Sequence, residues 1–307
     1  MKRRLWSCLV AAGFTMATSG CIVIGNGVTW SFGTTWWTEE VSEELEFDPV
    51  GVEALHVKTH NGAIVYSGQP TGSTEGRVIV KKKGGGTTMG DALNALKAIE
   101  VYVKRSSDDT VRIGWKWRGG VKLPAWNGHV SFEITGPGGV YLEGNTHNGP
   151  IQISEVDVVR VETHNGRVEV AGATGDVRAV THNGPVVVDA SDGLLYAETH
   201  NGSIRAGYAG SEITLFTHNG DVIADLQDCA HLEGEITTHN GGVEIVVGEA
   251  TSADLQCETY NGRIRCDAPL SNIDLTKRKL SGTIGTGEGR LDVTTHNGGI
   301  RVRKGTG

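Results

Sequence analysis

Six histidines, His147, His164, His182, His200, His218 and His239, recur at intervals of 17, 18, 18, 18 and 21 residues. Each stands in the tetrapeptide Thr-His-Asn-Gly, which occurs eight times between Thr59 and Thr295. Imidazole is a common metal ligand and the side chain that most readily changes charge near neutral pH, so such a row can capture transition-metal ions or sense pH. Zinc or copper would be the ion. Glu162 and Glu198 lie two residues before His164 and His200, and a carboxylate can complete a shell of zinc–nitrogen bonds of about 2.0–2.1 Å. Against this, zinc sites draw mixed ligands from different elements, with partners that orient them. A uniform row offers neither.

Other chemistry is harder to place. The chain has no His-Glu-x-x-His, no Gly-x-Ser-x-Gly and no metal-type cluster of Cys and His. Glycine runs at 84–86 and 285–289 lack the Gly-Lys-Ser/Thr ending of a phosphate loop and read as loops. An 18-residue period equals two nonapeptides of a calcium-binding β-roll, yet the Gly-Gly-x-Gly-x-Asp phrase is absent. Polysaccharide lyases on parallel β-helices gather varied charged residues at one spot, whereas these faces repeat. The expectation is a protein without catalytic residues or a built-in cofactor.

The positioning elements follow from the spacing. From Thr146 the threonines of the phrase are separated by 17, 18, 18, 18, 21 and 21 residues, then by 36; a degenerate copy, Thr259-Tyr260-Asn261-Gly262, fills the place between Thr238 and Thr295. A fixed period marks a repeat architecture. Asn-Gly marks a tight turn because both residues tolerate positive φ. Apolar residues alternate on both sides of it, as in Val159, Val161 before and Val168, Val170 after, the period of a strand with one face inward. Each repeat therefore reads as strand, Asn-Gly turn, strand and a return turn such as Ala190–Gly193. The predicted fold is all-β: a single-stranded β-solenoid, or β-helix, of 18–21-residue coils. Parity turns Thr163 inward and His164 outward. If alternation survives into the turn, Asn148, Asn165, Asn183, Asn201, Asn219, Asn240, Asn261 and Asn297 point inward as a structural ladder of stacked amides.

The chain opens with Lys2, Arg3 and Arg4, an apolar run from Leu5 to Ala17, and Thr18-Ser19-Gly20-Cys21. This is the form of a secretory leader, and small residues directly ahead of Cys21 resemble a lipoprotein lipobox. That resemblance implies a signal peptide over 1–20 and lipidation of Cys21. Loss of the three leader cations takes the formal charge from −8 to −11. An acidic chain without a basic block argues against nucleic acid and leaves the lipid as the membrane attachment. Of the remaining cysteines, Cys229, Cys257 and Cys266, the last two flank one turn at inward positions, either as a disulfide or as small apolar residues.

Residues 21–48, with Trp30, Phe32, Trp36 and Trp37 and an acidic run from Glu39 to Glu46, read as a tether. The solenoid domain spans 49–307, interrupted by an insertion at about 67–140, with regular repeats over about 141–307. Apolar spacing in the insertion predicts a helix at Met89–Ile99 and strands at Val78–Val80, Val101–Val103, Val111–Trp117 and His129–Ile134. Solenoids need atypical terminal units over their open cores, so the insertion is expected to cap the N-terminal end. Lys277–Gly285 stands where one phrase is missing.

Leu55–Ile64, the strand-helix-strand insert, the Thr-x-Asn-Gly-x-Ile/Val repeats and the close from Leu280–Gly285 through Thr295–Ile300 resemble the bacterial DUF4097 family of β-strand-repeat proteins. The family is also labelled as adhesin domains and is akin to GIN-domain adhesin heads. Nearly constant His before Asn-Gly departs from the family, which varies that residue. The resemblance implies a β-solenoid of the cell envelope and supplies no catalytic residues. The expected function is a lipid-anchored, adhesin-like binding or scaffold protein on the outer membrane, with a glycan or an envelope protein as partner. The alternative is metal capture or pH sensing by the histidine row.

Overall fold

A computed structural model describes residues 28–31, 34–70, 75–189 and 192–305. The leader, Cys21, Phe32 and the Ala190–Ser191 start of one return turn lie outside the described residues. The described residues fold into two 13-stranded sheets. One collects the strands that enter the Asn-Gly turns, the other the strands that leave them. Val158–Asn165, Val177–Thr181, Leu194–Asn201, Glu212–Asn219 and Glu233–Asn240 follow one another in the first; Val168–Ala171, Val186–Asp189, Ile204–Gly207, Val222–Leu226 and Val243–Val247 match them in the second. All these neighbours are parallel.

Register puts like on like, with Val159, Val177, Leu195 and Ile213 opposite one another and Thr163, Thr181, Thr199, Thr217 and Thr238 doing the same. The reason is the period-2 pattern: a one-residue slip would turn every inward valine to water. Between the sheets runs one apolar core from Leu45 to Val302, made mostly of Val, Ile, Leu and Ala. The β-solenoid expectation holds.

Both ends depart from sequence order. Ala54–Lys58 and Ile64–Gln69 lie between the coil made by Thr110–Trp117 and Asn127–Pro137 and the coil that starts at Tyr141. At the other end, Arg290–Thr295 and Ile300–Lys304 slide between the coils of Glu233–Val247 and Ala253–Cys266. The place between Thr238 and Thr295 that the spacing assigns to Tyr260 is thus corrected: the Tyr260 coil lies beyond Thr295. Like the phrase at Thr59 at the opposite end, the degenerate copy thus ends the row of phrases. Outside it, Lys279–Ile284 and Ser271–Leu275 close the sheet with antiparallel pairing.

The insertion caps the other end. Met89–Ala98 is a helix, started by Thr88, whose hydroxyl accepts from the Asp91 amide at 3.0 Å while the Asp91 carboxylate accepts from the Thr88 amide at 3.2 Å. This reciprocal cap satisfies two donors that a helix start leaves open. Ala92, Ala95 and Ala98 are buried. Their small size lets the helix approach Gly84 and Gly86, where a Cβ would overlap Ala92 and Leu96 or Asp91. The glycine run read as a loop is therefore the end of the strand Arg77–Gly86. The tether reading also changes. Thr34–Glu46 is a 13-residue strand whose residues 37–46 pair antiparallel with Arg77–Gly86. Its acidic run lies against Lys81, Lys82 and Lys83, and Glu43 meets Lys82 at 3.0 Å with both side chains largely covered.

Candidate functional site

Every residue of the repeated phrase bonds or packs against the phrase of the adjoining coil. Thr163, Thr181, Thr199, Thr217, Thr238, Thr259 and Thr295 are 0–2 % exposed. Each hydroxyl donates to the glycine carbonyl of the adjoining phrase, as Thr199 does to Gly184 at 2.9 Å and Thr217 to Gly202 at 2.8 Å. Thr146 is bonded likewise to Gly62 at 3.0 Å. These bonds satisfy hydroxyls that would otherwise be buried without partners.

The glycine has a different reason from the expected one. Gly62 has a φ of 153°, but its counterparts from Gly149 to Gly298 and the asparagines are outside the positive-φ region. What excludes a side chain is the next coil: a Cβ at Gly166, Gly184, Gly202 or Gly220 would overlap the carbonyl of the glycine below it. Backbones stacked at the strand spacing, about 4.8 Å, leave no room at the turn.

The asparagine ladder forms, yet not in the core. Asn148, Asn165, Asn183, Asn201, Asn219, Asn240, Asn261 and Asn297 are exposed, so the inward placement is corrected. Alternation ends at the threonine, where the chain bends. Each carboxamide donates in the same direction: Asn148 to Asn61, Asn165 to Asn148, and so on through Asn240, Asn297 and Asn261, at 2.7–2.9 Å. Asn61 ends the series on the Gly128 carbonyl at 3.2 Å.

Beside it runs the histidine column. His147, His164, His182, His200, His218 and His239 stack in order with ring centroids 4.7–4.9 Å apart and planes within 6°. His60 and His296 extend it at 5.0 and 4.7 Å, and Tyr260 covers the last ring at 5.0 Å and 28°. The phrases at Thr59 and Thr295 already carried the signal for these two rings. Tyr260 could not be placed by spacing, since the splice puts it at the end. Near the other end the Trp115 indole N–H donates to the Thr59 hydroxyl at 3.0 Å, and Trp117 packs edge-on against Trp115 at 5.3 Å. Burial, then His147 and Lys122, lower the pKa of His60.

Parallel rings direct their nitrogen lone pairs side by side, since those lone pairs lie in the ring planes. Neighbouring rings would have to turn before two nitrogens shared one ion at about 2.0–2.1 Å. Among the described residues no group of three or more His, Cys, Asp and Glu is arranged to hold a metal ion. Cys229, Cys257 and Cys266 are free thiols; Cys229 and Cys257 are buried and Cys266 is half-buried. Burial pushes the pKa of Cys229 and of Cys257 up to about 12. They serve as small apolar residues.

The strip as a whole is largely exposed and periodic, with imidazole rings and amides repeating at each coil. Its geometry suits repeated contacts along a line, and no single coil is marked out from the others. Among solved structures, similarity extends to a proposed adhesin from Parabacteroides merdae, at 12 % identity over 86 % of this chain and 96 % of that one with a TM-score of 0.37. Another from Bacteroides fragilis has 10 % identity over 86 % and 97 %, with a TM-score of 0.31. A proposed cell adhesion protein from Clostridium sporogenes has 12 % identity over 87 % and 100 %, with a TM-score of 0.24. No curated protein matches the chain. The model of the Toastrack DUF4097 family matches residues 47–303, which takes in the first phrase, the cap and every coil, and the chain belongs to that family.

Proposed function

We propose that this protein is a non-catalytic, adhesin-like binding or scaffold protein of the cell envelope, held by a lipid on Cys21. The observation that carries the binding reading is the outer strip, where eight stacked histidines and an unbroken asparagine ladder face solvent across the coils. Such a surface fits a partner that is itself extended, a glycan or an envelope protein that makes the same weak contact many times. Repetition along one line raises avidity without any strong single site. Among the described residues no helix is long and apolar enough to cross a membrane, and the Thr18–Cys21 lipobox supports the lipid as the anchor.

The test is capture from envelope extract by the wild-type chain and by a variant with His182, His200 and His218 changed to Gln. A partner retained by the first and lost by the second supports the reading; equal capture moves the binding surface elsewhere. The alternative, transition-metal capture, has the close spacing of the rings in its favour and requires them to turn out of the stack. Titrating metal-free wild type and the same triple variant with Zn²⁺ decides it: micromolar binding confined to the wild type supports capture, and identical weak heats reject it.

A further inference from the structure

We propose that the N-terminal cap is a membrane seat, so that the solenoid stands on its helix and the loop 118–126 with the histidine column leading away from the bilayer. The inference rests on the reading of Cys21 as the lipid anchor. The outer side of the helix Met89–Ala98 carries Met89, 51 % exposed, and Leu93, 36 % exposed, followed one turn later by exposed Lys97. Beside it, Val121 is 60 % and Leu123 46 % exposed. Lys97, Arg118, Val121 and Leu123 border one shallow cavity of about 360 Å³. Large exposed apolar side chains grouped around a depression, with cations among them, mark an interaction surface rather than ordinary scatter.

Charge and connectivity name the occupant. The chain is acidic, with a formal net charge of −8, but this corner carries Lys97, Lys116, Arg118 and Lys122. Among the described residues its carboxylates include Glu100, shared by Lys116 and Arg118, Asp91, engaged in the helix cap, and Glu39, opposite the Gly84 that abuts the helix. Lys97 and Lys122 form no ion pair among the described residues and are left to face an anionic surface. Apolar side chains with lysines around them are the composition of a segment that rests in the headgroup region. The chain also enters here. Val28 pairs with Trp37, Trp37 pairs with Gly86, and Met89 follows three residues later. Cys21 precedes Val28 by seven residues, a reach of at most about 25 Å when extended. A lipid on Cys21 therefore holds this end within range of the headgroups. The opposite end also exposes Ile273 and Leu275 near Lys277–Lys279, but lies at the far side of the coil stack from the chain entry.

Hydrogen exchange of the full-length protein in vesicles of phosphatidylethanolamine and phosphatidylglycerol, compared with detergent, tests the seat. Residues 89–98 and 118–126 should exchange more slowly in vesicles while the middle coils do not change. Protection at 271–284 instead, or none at either end, overturns the proposal. Met89→Asp with Leu123→Asp, both at exposed positions, should weaken vesicle binding of Cys21→Ser protein about tenfold; equal binding also overturns it. The two readings separate cleanly. A lipid-bound chain with an unprotected helix sinks the seat and leaves the anchor. Cys21→Ser protein that stays in the membrane fraction, and is released only by the two aspartates, sinks the anchor and supports the seat.

Discussion

Within one coil, Thr199 and Gly202 form an inner pair of columns and His200 and Asn201 an outer pair, and the same neighbours stack above and below both. Thr199 is 0 % exposed and Asn201 is exposed. Inner positions are fixed by exclusion: no space for a Cβ and no water for a hydroxyl. Outer positions are fixed by repetition alone, since each side chain meets a copy of itself. A strict phrase thus combines two different constraints, and only the inner one is needed to close the coil. The outer residues are free to be selected for what they contact.

Four substitutions in this coil grade that difference. Gly202→Ala should cost the most, on the order of 3 kcal/mol or more, because the new methyl overlaps the Gly184 carbonyl and backbone must move. Denaturant melts measure it. A loss below about 1 kcal/mol would mean that the turns slide apart easily, and the inner column would lose its claim. Thr199→Val keeps the shape and removes the bond to Gly184. It should cost about 1–3 kcal/mol, the range for leaving a covered carbonyl unpaired; an unchanged midpoint would show water reaching the turn.

Asn201→Leu comes next. It breaks the bond to Asn183 and the one from Asn219, each 2.8 Å. Inside the core that loss would fall in the same range as the threonine. At the surface, water takes over both partners, so about 0.5–1.5 kcal/mol is expected, near the net worth of an ordinary hydrogen bond. A cost equal to that of Thr199→Val would place the ladder among the inner constraints.

The coils, their turn and the inward threonines were legible in the sequence because alternation and period are local properties. The helix at Met89–Ala98 was legible for the same reason, as its apolar spacing lies within a few residues. The spliced ends were not. Residues 290–304 carry a complete phrase, and nothing local says that it enters the stack before the Tyr260 coil. Likewise, the acidic strand Thr34–Glu46 finds its lysines about forty residues on, a match that charge alone left open. Parity misplaces the asparagines because alternation stops at the threonine, two residues before them. The histidine column was fully visible as spacing, but its parallel stacking depends on ring angles that spacing does not contain.

His200→Ala should have the smallest effect, within about 0.5 kcal/mol, as for an exposed residue away from caps and cores. The ring lies 4.8 Å from His182 and 4.7 Å from His218, so the variant removes two stacking contacts. Buried aromatic pairs contribute about 0.5–1.5 kcal/mol beyond their area; here the ring edges are wet and the neighbours remain stacked on their other sides. The melt should therefore barely move, while capture of an extended partner through the strip should weaken, because one contact in the series is missing. Those two readouts separate architecture from recognition at a single residue. A loss above about 1 kcal/mol with unchanged capture would make the column a part of the fold, joined to the threonines and glycines. A silent melt with weaker capture would make it the surface for which the fold is built.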